Sequence, residues 1–276
     1  MNVHARLPQT LLRLSVLCVA LGAAYSASAQ QLPPFTLSPP GSTPPLAGTA
    51  VRADNIIISD FSTVRLTGPS FSDSGFLSVQ SFQLAGTTVP AAGLNSTYGL
   101  FFEFAGTGTV TAANPATTPT FGQFTSLNYT LYGYNGPAAS FGFDASDNPT
   151  TSVGAGSRVA LATGSLLPGA GQSSVGTTPQ SPSFNAFASA NLTFVPTAAA
   201  GSFFLSPTPF YNVAVSSFIN SPSQVSALIS GFSGGFKITQ GGGSVNFTSP
   251  VPEPETYALF LAGLAAVGWT VRRRRR

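Results

Sequence analysis

Between residues 30 and 250 the chain offers six carboxylates, Asp54, Asp60, Asp73, Glu103, Asp144 and Asp147. It has no histidine or cysteine there, since His4 and Cys18 are the sole residues of their kinds and precede that stretch. An imidazole-activated nucleophile, a thiolate nucleophile and the usual nitrogen and sulfur ligands of zinc are thereby excluded from this body. What carboxylates alone can do is acid–base work on a glycosidic bond, which needs two of them held about 5 to 10 Å apart in a cleft. Their placement along the chain does not favour it. Asp54, Asp60 and Asp73 stand near turn-forming residues, where Asp commonly bends or caps backbone. Glu103 sits inside the apolar run YGLFFEF, residues 98–104, and strand alternation turns it to solvent opposite Phe102 and Phe104. The body is read as non-catalytic, with a carboxylate-dependent polysaccharide hydrolase as the alternative should two of the six meet in a groove.

Other side chains suggest contact chemistry. Asp144-Ala145-Ser146-Asp147-Asn148 clusters oxygen donors as a calcium loop would, but it lacks the glycine and closing glutamate of the helix-loop-helix calcium pattern. An Asx-rich bend ahead of Pro149 explains it more simply, so neither metal nor cofactor is expected. Gly106-Thr107-Gly108 and Gly241-Gly242-Gly243 match no phosphate-cradling spacing. Tyr129, Tyr132 and Tyr134 are candidates for stacking on carbohydrate, with structural packing as the competing role. Sequons at Asn95, Asn128, Asn191 and Asn246 permit glycosylation without indicating it.

The elements that must carry these residues read as strands. Leu127-Asn128-Tyr129-Thr130-Leu131-Tyr132 alternates so that Leu127, Tyr129 and Leu131 share one face, and Tyr211, Val213 and Val215 do the same further on. Further runs lie at Val51 to Leu66, Phe76 to Leu84, Tyr98 to Phe104, Arg158 to Ala162, Phe184 to Phe194, Ser202 to Leu205, Val225 to Phe232, Gly235 to Thr239 and Ser244 to Thr248. Only Ser223 to Ile229 hints at a helix. Short strands punctuated by Gly, Pro, Asn and Ser argue an all-β antiparallel sandwich or barrel, and a sandwich-like domain is the expected form. The stretches Asn114 to Pro119, Asp144 to Ser157 and Pro168 to Pro182 are then long loops. No fixed-period repeat occurs.

The two ends differ in kind from this body. Arg6 and Arg13, the apolar run Leu14 to Ala24 and the small residues Ala27-Ser28-Ala29 form a secretory signal peptide to be cut beside Ala27 and Ala29. At the other end, Val251-Pro252-Glu253-Pro254 precedes sixteen uncharged residues, Thr256 to Val271, and then Arg272, Arg273, Arg274, Arg275 and Arg276. Sixteen is somewhat short of the roughly twenty that cross a bilayer core, but snorkelling arginines make a single pass reasonable, with the C-terminus held in the cytoplasm. Between these ends the charges are six acidic against Arg52, Arg65, Arg158 and Lys237. The overall +3 comes from the ends and gives no warrant for nucleic-acid binding. The expected division is residues 1–29 signal peptide, 30–50 Pro-rich extended lead-in, 51–250 secreted β domain and 251–276 sorting tail.

The order Pro252-Glu253-Pro254, apolar helix, arginine cluster resembles the PEP-CTERM sorting signal of Gram-negative bacteria. That resemblance implies export by the Sec machinery and signal peptidase, transient anchoring in the inner membrane, and cleavage near the Pro-Glu-Pro by an exosortase-type membrane protease. Glu255 departs from the Ser, Thr or Gly more usual there and leaves the cut bond open. The blocks YGLFFEFAGTGTV, FTSLNYTLYGYNG, RVALATGSLL and FFLSPTPFYNVAVSSF, in that order over residues 98–218, resemble the flocculation-associated PEP-CTERM proteins. This second likeness implies a matrix or adhesion role with extracellular polysaccharide as partner, self-association through edge strands included. An uncut, membrane-anchored carbohydrate-binding module is the remaining alternative.

Overall fold

The computed structural model describes residues 32–111, 120–178, 181–208, 210, 212–219 and 221–248. The signal segment, the loop Asn114 to Pro119, Tyr211 and the whole sorting tail lie outside them. Among the described residues sixteen strands follow in order: β1 (Phe35–Leu37), β2 (Val51–Ala53), β3 (Asn55–Thr67), β4 (Ser70–Leu84), β5 (Thr87–Val89), β6 (Tyr98–Val110), β7 (Thr120–Asn135), β8 (Phe141–Phe143), β9 (Pro149–Thr151), β10 (Arg158–Thr178), β11 (Ser181–Thr193), β12 (Val195–Pro196), β13 (Phe204–Ser206), β14 (Asn212–Phe218), β15 (Val225–Leu228) and β16 (Gly231–Thr248).

Eight of them close into a ring. β3, β4, β6, β7, β10, β11, β14 and β16 each pair antiparallel with the next, and β16 returns to β3. This is an up-and-down antiparallel barrel rather than the expected sandwich. The physical reason is strand length with built-in bends: register shifts at Ile57/Ile58, Thr107/Gly108, Ser165/Gln172 and Thr239/Gly241 kink and coil strands that would otherwise lie flat. Closure pairs each of the eight strands on both sides, and leaves a stretch of β11, residues 181–186, paired with β10 alone and open to the strand addition between copies expected as a route to self-association.

Three local expectations change as well. The stretch Pro168 to Pro182 is largely strand, since β10 runs through Pro168 to Thr178 and β11 starts at Ser181. Pro168 falls within the β10 bulge, where no ladder N–H is required of it. Ser223 to Ile229 is a single 3₁₀ turn at Pro222–Gln224 followed by β15, not a helix. Asp144 to Ser157 contains β9 and a 3₁₀ turn at Ala155–Ser157.

Opposed residues in an antiparallel ladder share a face, so the register sorts the barrel into inside and outside. Ile56, Ile58, Val79, Leu100, Phe102, Tyr129, Leu131, Val213 and Val245 fill the interior and are buried. Each such side chain contributes roughly 1.5–3 kcal/mol on leaving water. Gly108 is glycine because the Phe71 ring occupies the space a Cβ would need, at 2.3 Å. The Pro-rich lead-in is not merely extended: Phe35, Leu37 and Leu46 are buried, and β13-β1-β2 form a small sheet. Phe35 and Phe210 pack on Phe247 near the end of β16, at 4.9 and 4.7 Å between rings.

A second apolar layer lies outside the barrel. The chain between β7 and β10 leaves the wall as the β8–β9 hairpin. Phe141 from it stacks on Phe61 at 5.4 Å and meets Phe76 tilted at 5.5 Å and Phe101 edge-on at 5.7 Å. These rings point outward on β3, β4 and β6, and the hairpin is their cover.

Candidate functional site

The six carboxylates divide between three environments. Glu103 faces outward, as alternation requires, and pairs with Arg158 Nη1 at 2.9 Å. The same guanidinium lies over the Tyr132 ring at 4.2 Å. Glu103, Ser74, Asn128, Thr130 and Asn148 line an open groove of about 420 Å³, which holds no second carboxylate. Asp54 accepts a hydrogen bond from the Ala85 amide at 2.7 Å and serves a turn.

Asp60 and Asp73 turn inward. They line a barrel cavity of about 50 Å³ walled by Leu77, Phe102, Phe104, Phe124 and Tyr129. Asp60 accepts from the Ser217 hydroxyl at 2.5 Å, and the Ser62 hydroxyl also lies against its carboxyl, while Oδ1 of each aspartate has no protein hydrogen bond of good geometry. Burial pushes the Asp60 carboxyl up to about 6 against the pull of its hydroxyl partner. Burial raises Asp73 well above its ordinary value, and the nearby Asp60 charge adds to it. These two are the carboxylates that share a space, but that space is inside a packed barrel and too small for a sugar ring. The open groove beside Glu103 presents one acid, where a glycosidase needs two.

Asp144 and Asp147 serve the hairpin. Asp144 accepts from the Asn148 side chain at 2.9 Å and from the Asn148 and Ser146 amides at 2.8 Å each, and these bonds, Asn148 foremost, hold it below the usual carboxylate range. Asp147 meets Lys237 Nζ at 2.6 Å and the Ile229 amide at 2.8 Å, and Lys237 lowers it first. Thr63 Oγ1 donates to the Asp147 carbonyl at 2.7 Å. Each carboxylate of the calcium candidate has its own partners, Asp144 the Asn148 side chain and two amides, Asp147 the lysine and one amide. No cluster of three or more acidic, histidine or cysteine side chains occurs among the described residues. Replacing Lys237 by Met should therefore release the hairpin and leave the barrel intact: amides of residues 141–151 should exchange roughly tenfold faster by hydrogen-exchange mass spectrometry, with β6 and β7 unchanged. Unchanged hairpin exchange would show that the rings alone hold it.

The tyrosine candidates are placed differently from one another. The register turns Tyr129 into the barrel, where its hydroxyl donates to the Thr193 carbonyl at 3.0 Å and its ring meets Phe102 at 5.6 Å. Tyr134 lies under the hairpin with its hydroxyl accepting from the Ala139 amide at 2.8 Å. Both are only 5% exposed. Tyr132 is partly covered beneath Arg158. None of the three offers a free ring face.

The surface with contact chemistry is on the other side. No charged residue occurs between Arg158 and Lys237, the segment that supplies β11 and β14 and most of β10. On the outer wall of β11, β14 and β16 a groove of about 220 Å³ is lined by Ser189, Asn191, Ala214, Ser216 and Asn246. Asn191 and Asn246 oppose Ala214 from either side, and the Ser216 and Ser244 hydroxyls are 3.1 Å apart. Reading motifs residue by residue misses this face. The long uncharged run was the available signal, and it specifies a surface only once the strands are known to adjoin.

The chain was also compared with known proteins. The PEP-CTERM protein-sorting motif matches residues 250–276, which include Pro252, Glu253, Pro254 and the five terminal arginines. No curated protein and no solved structure matches the chain. Among the described residues no helix is long and apolar enough to cross a membrane; the apolar stretch of the tail lies beyond them. The motif implies secretion with a C-terminal sorting signal and exosortase processing, and the tail of this chain carries that motif.

Proposed function

We propose that the processed protein works without catalysis in the extracellular matrix, promoting flocculation or biofilm formation by associating with exopolysaccharide. The observation that most supports this is the one-sided charge distribution. Glu103, Arg158, Asp144, Asp147, Lys237 and Arg65 gather around the hairpin side, while the wall of β11, β14 and the C-terminal half of β16 presents only amides, hydroxyls and apolar groups. Such a surface exchanges hydrogen bonds with sugar hydroxyls without desolvating a charge, and many weak contacts along a polymer add to avidity. The likeness of residues 98–218 to flocculation-associated proteins points the same way. The hydrolase alternative would need a second acid beside Glu103, whose groove holds one, and the uncut-anchor alternative differs only in the fate of the tail.

Deleting the gene should abolish or delay floc formation, and the full-length copy should restore it. A copy lacking residues 252–276 should not. Normal flocculation in the deletion strain would dispose of the adhesive role, and rescue by the shortened copy would show that sorting is dispensable to it.

A further inference from the structure

We propose that the polysaccharide bound is an uncharged one, and that it lies against a row of three exposed phenylalanines, Phe121, Phe187 and Phe218, with its hydroxyls on the row of amides and hydroxyls beside them. The proposal rests on the matrix-association reading above and names the surface and the polymer class.

The row follows from register. Phe121 on β7 opposes Ser174 on β10, Ser174 opposes Phe187 on β11, and Phe187 opposes Phe218 on β14. The four positions therefore form one line across four neighbouring strands on one face. Flanking residues Phe124, Ala188 and Ser217 belong to the interior, so the line points outward, and the three phenylalanines are 62%, 43% and 40% exposed. With strands about 4.8 Å apart, Phe121 and Phe187 stand roughly 10 Å from one another with a serine position between them, and Phe218 adjoins Phe187. Two residues along, Gln123 on β7, Ser189 on β11, Ser216 on β14 and Ser244 on β16 lie on a parallel line. Beyond it lies the groove flanked by Asn191 and Asn246.

This pattern discriminates between occupants. A protein partner is met by a continuous apolar patch with a polar rim, whereas Phe121 stands two strands away from Phe187 and the row is bordered along one side by hydrogen-bonding groups. A polyanion needs cations, and no charged residue from Arg158 to Lys237 supplies one. A neutral glycan has both parts of the complement: C–H faces that stack on aromatic rings and hydroxyls that pair with amides and serines. Elsewhere on the barrel the outward phenylalanines Phe61, Phe76 and Phe101 are covered by the hairpin. The row of three is left open.

The test uses the processed protein recovered from the medium of its own cells, alongside variants changing all three phenylalanines to Ser or all three to Leu. The probes are amorphous cellulose, a cross-linked dextran gel, alginate, and matrix polysaccharide isolated from the same cells. The parent protein should be retained by a neutral polymer in about 1 M salt, where screening leaves a Debye length of roughly 3 Å, and alginate should retain nothing. The Ser variant should lose about tenfold or more in retention. The Leu variant, which keeps apolar area and guards against a folding failure, should lose nearly as much. Equal retention of parent and both variants on the isolated matrix polymer would overturn the phenylalanine row while leaving matrix association standing. So would alginate binding that salt removes. Conversion of an oligomer to a monomer in sedimentation of the Ser variant, with glycan retention unchanged, would assign the row to self-contact and equally overturn it. No retention of the parent on any polymer, the isolated matrix included, would end the matrix reading itself.

Discussion

Raising the pH from about 4 to about 8 should cost the barrel roughly 3 kcal/mol through Asp60 alone. Its carboxyl is raised from an ordinary 3.8 to about 6 by burial beside an apolar cavity. The unfolded chain therefore gives up this proton about two pH units before the folded one does, and each unit is worth about 1.4 kcal/mol. Stability is full at or below the ordinary carboxylate value, falls as pH climbs towards 6, and stays at the lower level above it. Asp73, raised further still, continues the decline at higher pH. The hairpin acts in the opposite sense. Asp144 and Asp147 are held below their ordinary value, so their contribution is present above about pH 4 and is lost as the solution becomes more acid. The optimum should thus fall on the acid side of neutrality. Asp60→Asn keeps an oxygen for the Ser217 hydroxyl and never charges, so urea unfolding should find it about 3 kcal/mol more stable than the parent at pH 8 and nearly equal at pH 4. Equal stability of the two at pH 8 would mean that Asp60 is solvated in the folded state.

Gly164→Val should cost about 3 kcal/mol and lower the thermal midpoint by roughly 6 to 12 °C. Gly164 on β10 opposes Tyr129 on β7. A Cβ there would come within 1.9 Å of the Thr193 carbonyl oxygen and 2.4 Å of the Tyr129 ring. That carbonyl accepts the Tyr129 hydroxyl, so the ring cannot withdraw without breaking its only described hydrogen bond. The strain falls at the β10–β11 seam that completes the ring. Gly156→Val, in open space beyond the hairpin, is the matched control and should stay within about 0.5 kcal/mol. A Gly164→Val protein as stable as that control would show that the seam is loosely packed.

The strands and their faces were legible from alternation wherever it was undisturbed. Leu127, Tyr129 and Leu131 do share the interior face, and Glu103 does point outward from its apolar run. Legibility failed where bulges reset the alternation, as at Ile57/Ile58 and Ser165/Gln172, because a period-two pattern carries no memory across an inserted residue. Closure was hidden for a related reason. Whether a meander of strands folds into two sheets or one ring depends on pairings such as β16 with β3, which join residues far apart in sequence and leave no local mark. Asp60 and Asp73 looked like turn residues because turn formers stand close by, yet both sit mid-strand on an inward position. The same residue type serves a cap or a buried pair, and only register decides which. The sorting tail was the most legible part of the chain, since its meaning lies in an order of residue types read in a membrane and not in a fold.

If the proposed matrix role holds, a ring whose strands are mostly paired on both sides has a mechanical corollary for the material it would help to build. Fibres grown by backbone templating are stiff and dissolve only in strong denaturant, because each added strand extends one continuous ladder. A protein that holds polymer through rings and hydroxyls makes contacts that break and reform singly, so the resulting gel should creep under slow shear, heal at rest, and disperse in competing sugar without denaturant.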